Sequence, residues 1–120
     1  MNIAMGALTT HVLDTSRGKP AAGVLIDLYR LGESAERVSS ALTNDEGRCP
    51  DPLLDGDDFQ AGEYELVFHA GDYFRKSGVE LTDPAFLDHV VIRFGIAAAD
   101  EHYHVPLLIS PFGYSTYRGS

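Results

Sequence analysis

Short stretches with alternating polar and apolar side chains run along most of this chain, a period of two that belongs to strands rather than helices. Leu8 to Asp14 is the first, with Thr9, His11 and Leu13 on one face and Thr10, Val12 and Asp14 on the other. Neither face is purely apolar. Val24 to Leu31 sets Val24, Ile26, Leu28 and Arg30 against Leu25, Asp27, Tyr29 and Leu31, and Arg37 to Thr43 is a weaker third strand. Glu63 to Ala70, with Tyr64 and Leu66 on one side, and His89 to Ile96 are further strands. Near the end, Val105 to Ile109 and Tyr114 to Tyr117 flank Ser110-Pro111-Phe112-Gly113 and predict a hairpin. Its first strand carries His102, His104, Pro106 and Leu108 on one face and Tyr103, Val105, Leu107 and Ile109 on the other. If the turn aligns the faces, Ser115, Tyr117 and Gly119 join the histidine side.

The breaks between these runs are turn-formers. Thr15 to Pro20 is a dense turn cluster, Gly32 to Glu36 a polar loop, and Asn44-Asp45-Glu46-Gly47 a turn that delivers Arg48. Residues 50 to 62 read as loop with one short strand at Leu53 and Leu54. Gly71 to Gly78 predicts the single helix, with Asp72 as N-cap, Arg75 and Lys76 in its last turn and Gly78 as its stop. About seven or eight short strands without intervening helices imply an all-β, antiparallel two-sheet sandwich. At 120 residues the chain predicts one domain spanning 1–120, with residues 1–7 flexible.

Composition narrows the partners. Eighteen acidic residues against nine basic ones leave a net charge of −9, which opposes binding to nucleic acid or to an anionic membrane surface. The single cysteine, Cys49, has no internal partner, and a reducing compartment is the default. The first residues lack the basic region of a signal peptide, and no apolar run approaches the ~20 residues of a membrane span. The expectation is a cytoplasmic protein.

Five histidines carry the candidate chemistry. His69 and His89 sit at strand ends among charged residues and read as edge positions. His11 alone reads as a hydrogen-bonded structural histidine, and Arg48 alone as a solvated side chain. His102 and His104 are spaced to share a zinc ion, but no cysteine or carboxylate at ligand spacing completes a site. No GxSxG elbow, P-loop or GxGxxG is present. A hydrolase built on this chain without metal activates water with histidine and uses a donor such as Arg48 for the developing oxyanion.

Two long segments carry a resemblance: His11-Val12-Leu13-Asp14-Thr15-Ser16-Arg17-Gly18-Lys19-Pro20-Ala21-Ala22-Gly23-Val24, and Tyr103-His104-Val105-Pro106-Leu107-Leu108-Ile109-Ser110-Pro111-Phe112-Gly113-Tyr114-Ser115-Thr116. Both are similar to signatures of the transthyretin family, and Thr43 to Arg48 and Gly62 to Leu66 resemble its middle segments. The family has hormone carriers and an enzyme branch acting on 5-hydroxyisourate. Tyr117-Arg118-Gly119-Ser120, with His11, Arg48 and His104, resembles the enzyme branch.

The resemblance implies a sandwich of two four-stranded sheets with one short helix, dimers formed through edge strands, and a homotetramer in which the faces bearing His11, His104 and Tyr117 line a central channel. It implies metal-independent hydrolysis of a cyclic amide in urate degradation, with no cofactor. His104, supported by His11, would deprotonate water, and Arg48 would bind the ring. Tyr117 and Ser120 would contact substrate, with the Ser120 carboxylate or the Arg118 side chain holding the tail. The rival readings are a carrier holding a small aromatic ligand in the same channel, and a zinc-binding structural domain using His102 and His104.

Overall fold

The computed structural model describes residues 6–119. Residues 1–5 of the expected flexible segment, and Ser120, lie outside the described residues; Ala7 already belongs to the first strand.

Strands β1 (Ala7–Asp14), β2 (Lys19–Pro20), β3 (Leu25–Leu31), β4 (Ala35–Leu42) and β5 (Leu54–Asp55) are followed by a 3-10 turn at Gly56–Asp58. Then come β6 (Gly62–His69), helix α1 (Ala70–Lys76), β7 (His89–Ile96), β8 (His102–Ser110) and β9 (Gly113–Thr116). One sheet has the order β2-β1-β8-β9, with β5 also pairing β1; the other has the order β4-β3-β6-β7.

The all-β sandwich with one short helix stands as expected, and two details differ. The first sheet has five strands because two-residue strands form at Lys19–Pro20, inside the turn cluster, and at Leu54–Asp55. It is also mixed, since β1 and β8 run parallel from Ala7↔His102 to Asp14↔Ile109. No hairpin joins these two strands, so no tight turn forces them antiparallel.

Alternation explains the packing. Leu8 and Val12 from β1, Leu107 and Ile109 from β8, Ile26 and Leu28 from β3, and Leu66 and Phe68 from β6 point inward and are fully buried. Each such side chain contributes about 1.5–3 kcal/mol on leaving water. With this layer closed, the outer face of the first sheet is free to carry polar groups. No helix among the described residues is long and apolar enough to cross a membrane.

Helix α1 has its N-cap three residues earlier than predicted, at His69 rather than Asp72. Asp72 lies in the first turn, where its carboxylate meets Arg75 at 3.1 Å. Gly78 at φ 87° ends the segment as expected. Tyr73 ties the helix to β1 by donating to Asp14 Oδ2 at 2.8 Å. Asp14 is fully buried, and Ser16 supplies a backbone N–H at 3.0 Å and a hydroxyl at 2.5 Å. That satisfaction is what makes an interior carboxylate tolerable.

Candidate functional site

The outer face of the first sheet gathers the chemistry. In a parallel pair, residues in register share a face, and the register sets Thr9 beside His104 and Ala7 beside His102. Thr9 and His11 from β1 therefore stand next to His102 and His104 from β8, although more than ninety residues separate them in sequence. Their inward neighbours Leu8, Thr10, Tyr103 and Val105 are buried and hold both strands in place.

The histidines are linked rather than merely adjacent. His11 Nδ1 and His104 Nε2 are 2.9 Å apart, and the rings stack with centroids 5.1 Å apart and planes 20° apart. His104 uses its other nitrogen as well: Nδ1 lies 2.8 Å from Thr9 Oγ1. Nε2 of His102 meets the same hydroxyl at 2.9 Å. Among the described residues, Nε2 of His11 is the one nitrogen of the His11–His104 pair without a hydrogen-bonded partner.

Arg48 reaches this surface because of the turn before it. Asn44 Oδ1 accepts from the backbone N–H groups of Glu46 and Arg48 at 2.9 and 3.1 Å, an Asx arrangement that fixes the loop. Gly47 has φ 75°, and a Cβ there would strike the Val12 carbonyl. The Val12 N–H donates to the Gly47 carbonyl at 2.8 Å, docking the turn on β1 and producing an isolated bridge between His11 and Arg48.

The tail closes the opposite side. Leu108↔Ser115 and Leu107↔Thr116 continue to an isolated bridge between His104 and Gly119, whose N–H donates to the His104 carbonyl at 2.7 Å. A Cβ on Gly119 would lie 2.8 Å from His104 Cδ2, so the close approach of this backbone to the imidazole requires glycine. The result is an open cleft of about 390 Å³. Thr9, His11 and His104 form its floor, with Arg48, His102 and Tyr117 around it.

Electrostatics favour neutral imidazoles here. Burial first, then the Arg48 guanidinium, lowers the pKa of His11 below the ordinary histidine value. Burial also lowers that of His104, with further contributions from His11, Arg48 and His102. A neutral ring carries one lone pair for a proton.

Of the residues singled out by sequence, His11, Arg48, His104 and Tyr117 come together in this cleft, and His102 stands beside them. Ser120 lies outside the described residues. The two histidines weighed for zinc, His102 and His104, each turn one ring nitrogen to the Thr9 hydroxyl. Among the described residues, no group of three or more His, Cys, Asp or Glu could hold a metal ion. Thr9 was not singled out, because a threonine on a strand is ordinary and only its cross-strand register reveals its partners.

His69 differs from the plain edge position expected. It is half-buried, and its Nε2 lies 3.0 Å from Asp27 Oδ2 on the outer face of the second sheet. Burial raises the Asp27 pKa, but hydrogen bonds from Ser40 and His69 and the charges of His69 and Arg37 bring it below the ordinary value. His89 is exposed, as expected.

Comparison with known proteins agrees with this geometry. The family model described as the HIUase/Transthyretin family matches residues 8–119. A curated 5-hydroxyisourate hydrolase of Pseudomonas aeruginosa is 62% identical over 117 residues, covering 97% of this chain and 93% of its own. One from Mesorhizobium japonicum is 66% identical over 116 residues, covering 96% and 93%. Among solved structures, the Klebsiella pneumoniae 5-hydroxyisourate hydrolase superposes with a TM-score of 0.81 at 38% identity, covering 97% of this chain and 100% of that one. An (S)-allantoin synthase superposes with a TM-score of 0.93 at 48% identity over 98% of this chain, which spans only 45% of that longer one.

Proposed function

The chain belongs to the HIUase/transthyretin family, and from that premise we infer that it is a 5-hydroxyisourate hydrolase. It opens the six-membered ring at a cyclic amide, giving 2-oxo-4-hydroxy-4-carboxy-5-ureidoimidazoline in urate degradation. The observation that carries this reading is the 62% identity to the Pseudomonas hydrolase over nearly the whole of both chains.

The cleft supplies the parts that lactam hydrolysis needs. Water attacking the carbonyl must lose a proton, and a neutral imidazole within hydrogen-bond reach takes it. His104 is the weaker candidate for that role, because both its nitrogens are already engaged. His11 Nε2 is the base, and His104 orients and supports it from behind. This reverses the order that the resemblance suggested. Arg48 binds the electron-rich ring and stabilises charge on the attacked carbonyl oxygen. Tyr117 hydrogen-bonds the substrate at the rim, and Ser120 contacts it from the end of the same tail. No metal is needed for these steps.

The working unit of this proposal is a homotetramer. Strands β7 and β9 are the outermost strands on one side of the two sheets, and edge strands offer backbone groups to a second copy. Two such dimers stacked on their histidine-bearing faces convert an open cleft into a channel. The protein acts on its small-molecule substrate in the cytoplasm, with no nucleic-acid or membrane partner.

The rival is a carrier that holds a small aromatic ligand without turning it over. The two separate when 5-hydroxyisourate is generated in place from urate and its ultraviolet absorbance is followed with protein at about a hundredth of the substrate concentration. A hydrolase accelerates the decay through many turnovers. A carrier removes at most one equivalent per site, and that outcome would refute the enzymatic reading.

A further inference from the structure

Thr9 Oγ1 lies 2.9 Å from His102 Nε2 and 2.8 Å from His104 Nδ1, while His104 Nε2 lies 2.9 Å from His11 Nδ1. These contacts form one unbranched chain. A hydroxyl donates one proton and a neutral imidazole carries one N–H. With all three rings neutral and the threonine proton kept within the chain, two proton arrangements satisfy every contact. In the first, His11 donates to His104, His104 to Thr9 and Thr9 to His102, which leaves a lone pair at His11 Nε2. In the second, every donor is reversed and His11 presents an Nε2–H.

We propose that Thr9 and His102 complete a proton relay, His11–His104–Thr9–His102, that switches His11 from base to acid within one turnover. The proposal rests on the hydrolase reading and deepens it. As the water oxygen bonds to the lactam carbon, His11 Nε2 takes a water proton and passes its Nδ1 proton to His104 Nε2. His104 passes its Nδ1 proton to Thr9, Thr9 passes its hydroxyl proton to His102 Nε2, and His102 releases its Nδ1 proton to solvent.

All three rings are then neutral in the second arrangement. When the C–N bond breaks, its electron pair takes the Nε2 proton of His11, the chain runs backward and His102 takes a proton from solvent. The second water hydrogen leaves the new carboxyl group. One proton thus ends on the leaving nitrogen and one in solvent, beside a carboxylate product.

The relay answers a specific difficulty. An imidazolium at His11 would stand half-buried beside the Arg48 guanidinium, with like charges opposed. His102 is exposed, so a charge in transit there is hydrated. Thr9 is the only link between His104 and His102 in this chain of contacts.

The test uses Thr9→Val, Thr9→Ser and His102→Ala in the full-length protein. Thr9→Val keeps the side-chain shape and removes the hydroxyl. Its kcat is expected to fall about tenfold or more, because the proton taken from water then stays as a charge on the half-buried His11–His104 pair, with KM within about twofold. Thr9→Ser restores the hydroxyl and recovers most of that loss. His102→Ala lowers kcat similarly, and added imidazole, which can take and return the proton, raises it again.

Wild-type kcat in Thr9→Val, a Thr9→Ser variant no better than Thr9→Val, or a His102→Ala variant indifferent to imidazole overturns the relay. If Thr9→Val fails to fold, His102→Ala and its response to imidazole still decide. The wild-type protein is run alongside. If it does not accelerate decay, the hydrolase reading has failed; if it does and the variants behave otherwise than expected, the relay alone has failed.

Discussion

Replacing His11 with Asn is expected to lower kcat for 5-hydroxyisourate ring opening by about 10²–10⁴-fold, the usual contribution of a positioned general base. Asn offers hydrogen-bonding groups in a similar volume, so His104 Nε2 need not be left without a partner, but it has no lone pair basic enough to take a proton from water. The fold should persist, because His11 points away from the core that its neighbours Thr10 and Val12 enter. His104→Asn should also be severely impaired, since it breaks the contacts to both Thr9 and His11. Steady-state kinetics on the two variants separate their roles. Near-normal kcat in His11→Asn, with a large loss only in His104→Asn, would move the base to His104.

Deleting residues 117–120 is expected to reduce turnover to the uncatalysed rate while leaving the sandwich folded. The described part of the tail acts on the site through β8. Gly119 donates to the His104 carbonyl at 2.7 Å, and Arg118 reaches the His102 carbonyl at 3.1 Å and Glu101 at 3.0 Å. The Arg118 guanidinium also lies 3.9 Å from the centre of the Tyr103 ring, within cation–π range. Two backbone carbonyls that flank the catalytic stretch of β8 are thus held by residues the truncation removes, together with the Tyr117 wall. The core contribution of β8 comes from Tyr103, Val105, Leu107 and Ile109 on its other face, which the truncation leaves in place. Circular dichroism and the ring-opening rate, measured together, check both halves. Full activity in the truncated protein would remove the tail from the account.

Much of the fold was legible because one-sided burial writes a period of two into a strand. His89 to Ile96 matched at both ends, and Glu63 to Ala70 was read within a residue of β6. The parallel pairing of β1 and β8 was not legible, because the alternation of a strand carries no information about its neighbour's direction. Lys19–Pro20 was hidden in a cluster of turn-formers, where two residues are too few to show a period.

The site divides along the same line. The period of the terminal hairpin places His104 and Tyr117 on one face, whereas His11 and Arg48 join them only through a resemblance spanning most of the chain, because no spacing rule links His11 to a histidine 93 positions away. Thr9 escaped because its importance lies in register: it faces two histidines of a strand that begins at His102. Asp14 and Asp27 show the same limit. Asp14 meets Tyr73 59 positions away and Asp27 meets His69 42 positions away, and only the folded structure reveals either partner.

The measurement that tests the central claim most directly is the pH profile of kcat/KM for 5-hydroxyisourate. Burial and Arg48 hold His11 and His104 below the ordinary histidine pKa of 6.5, so the neutral, proton-accepting form prevails at and above neutral pH. The account predicts a plateau there and a fall only on the acid side, with half-maximal activity below pH 6.5. Activity that climbs as the pH drops through that value would mean that a protonated histidine does the work, and would contradict the account.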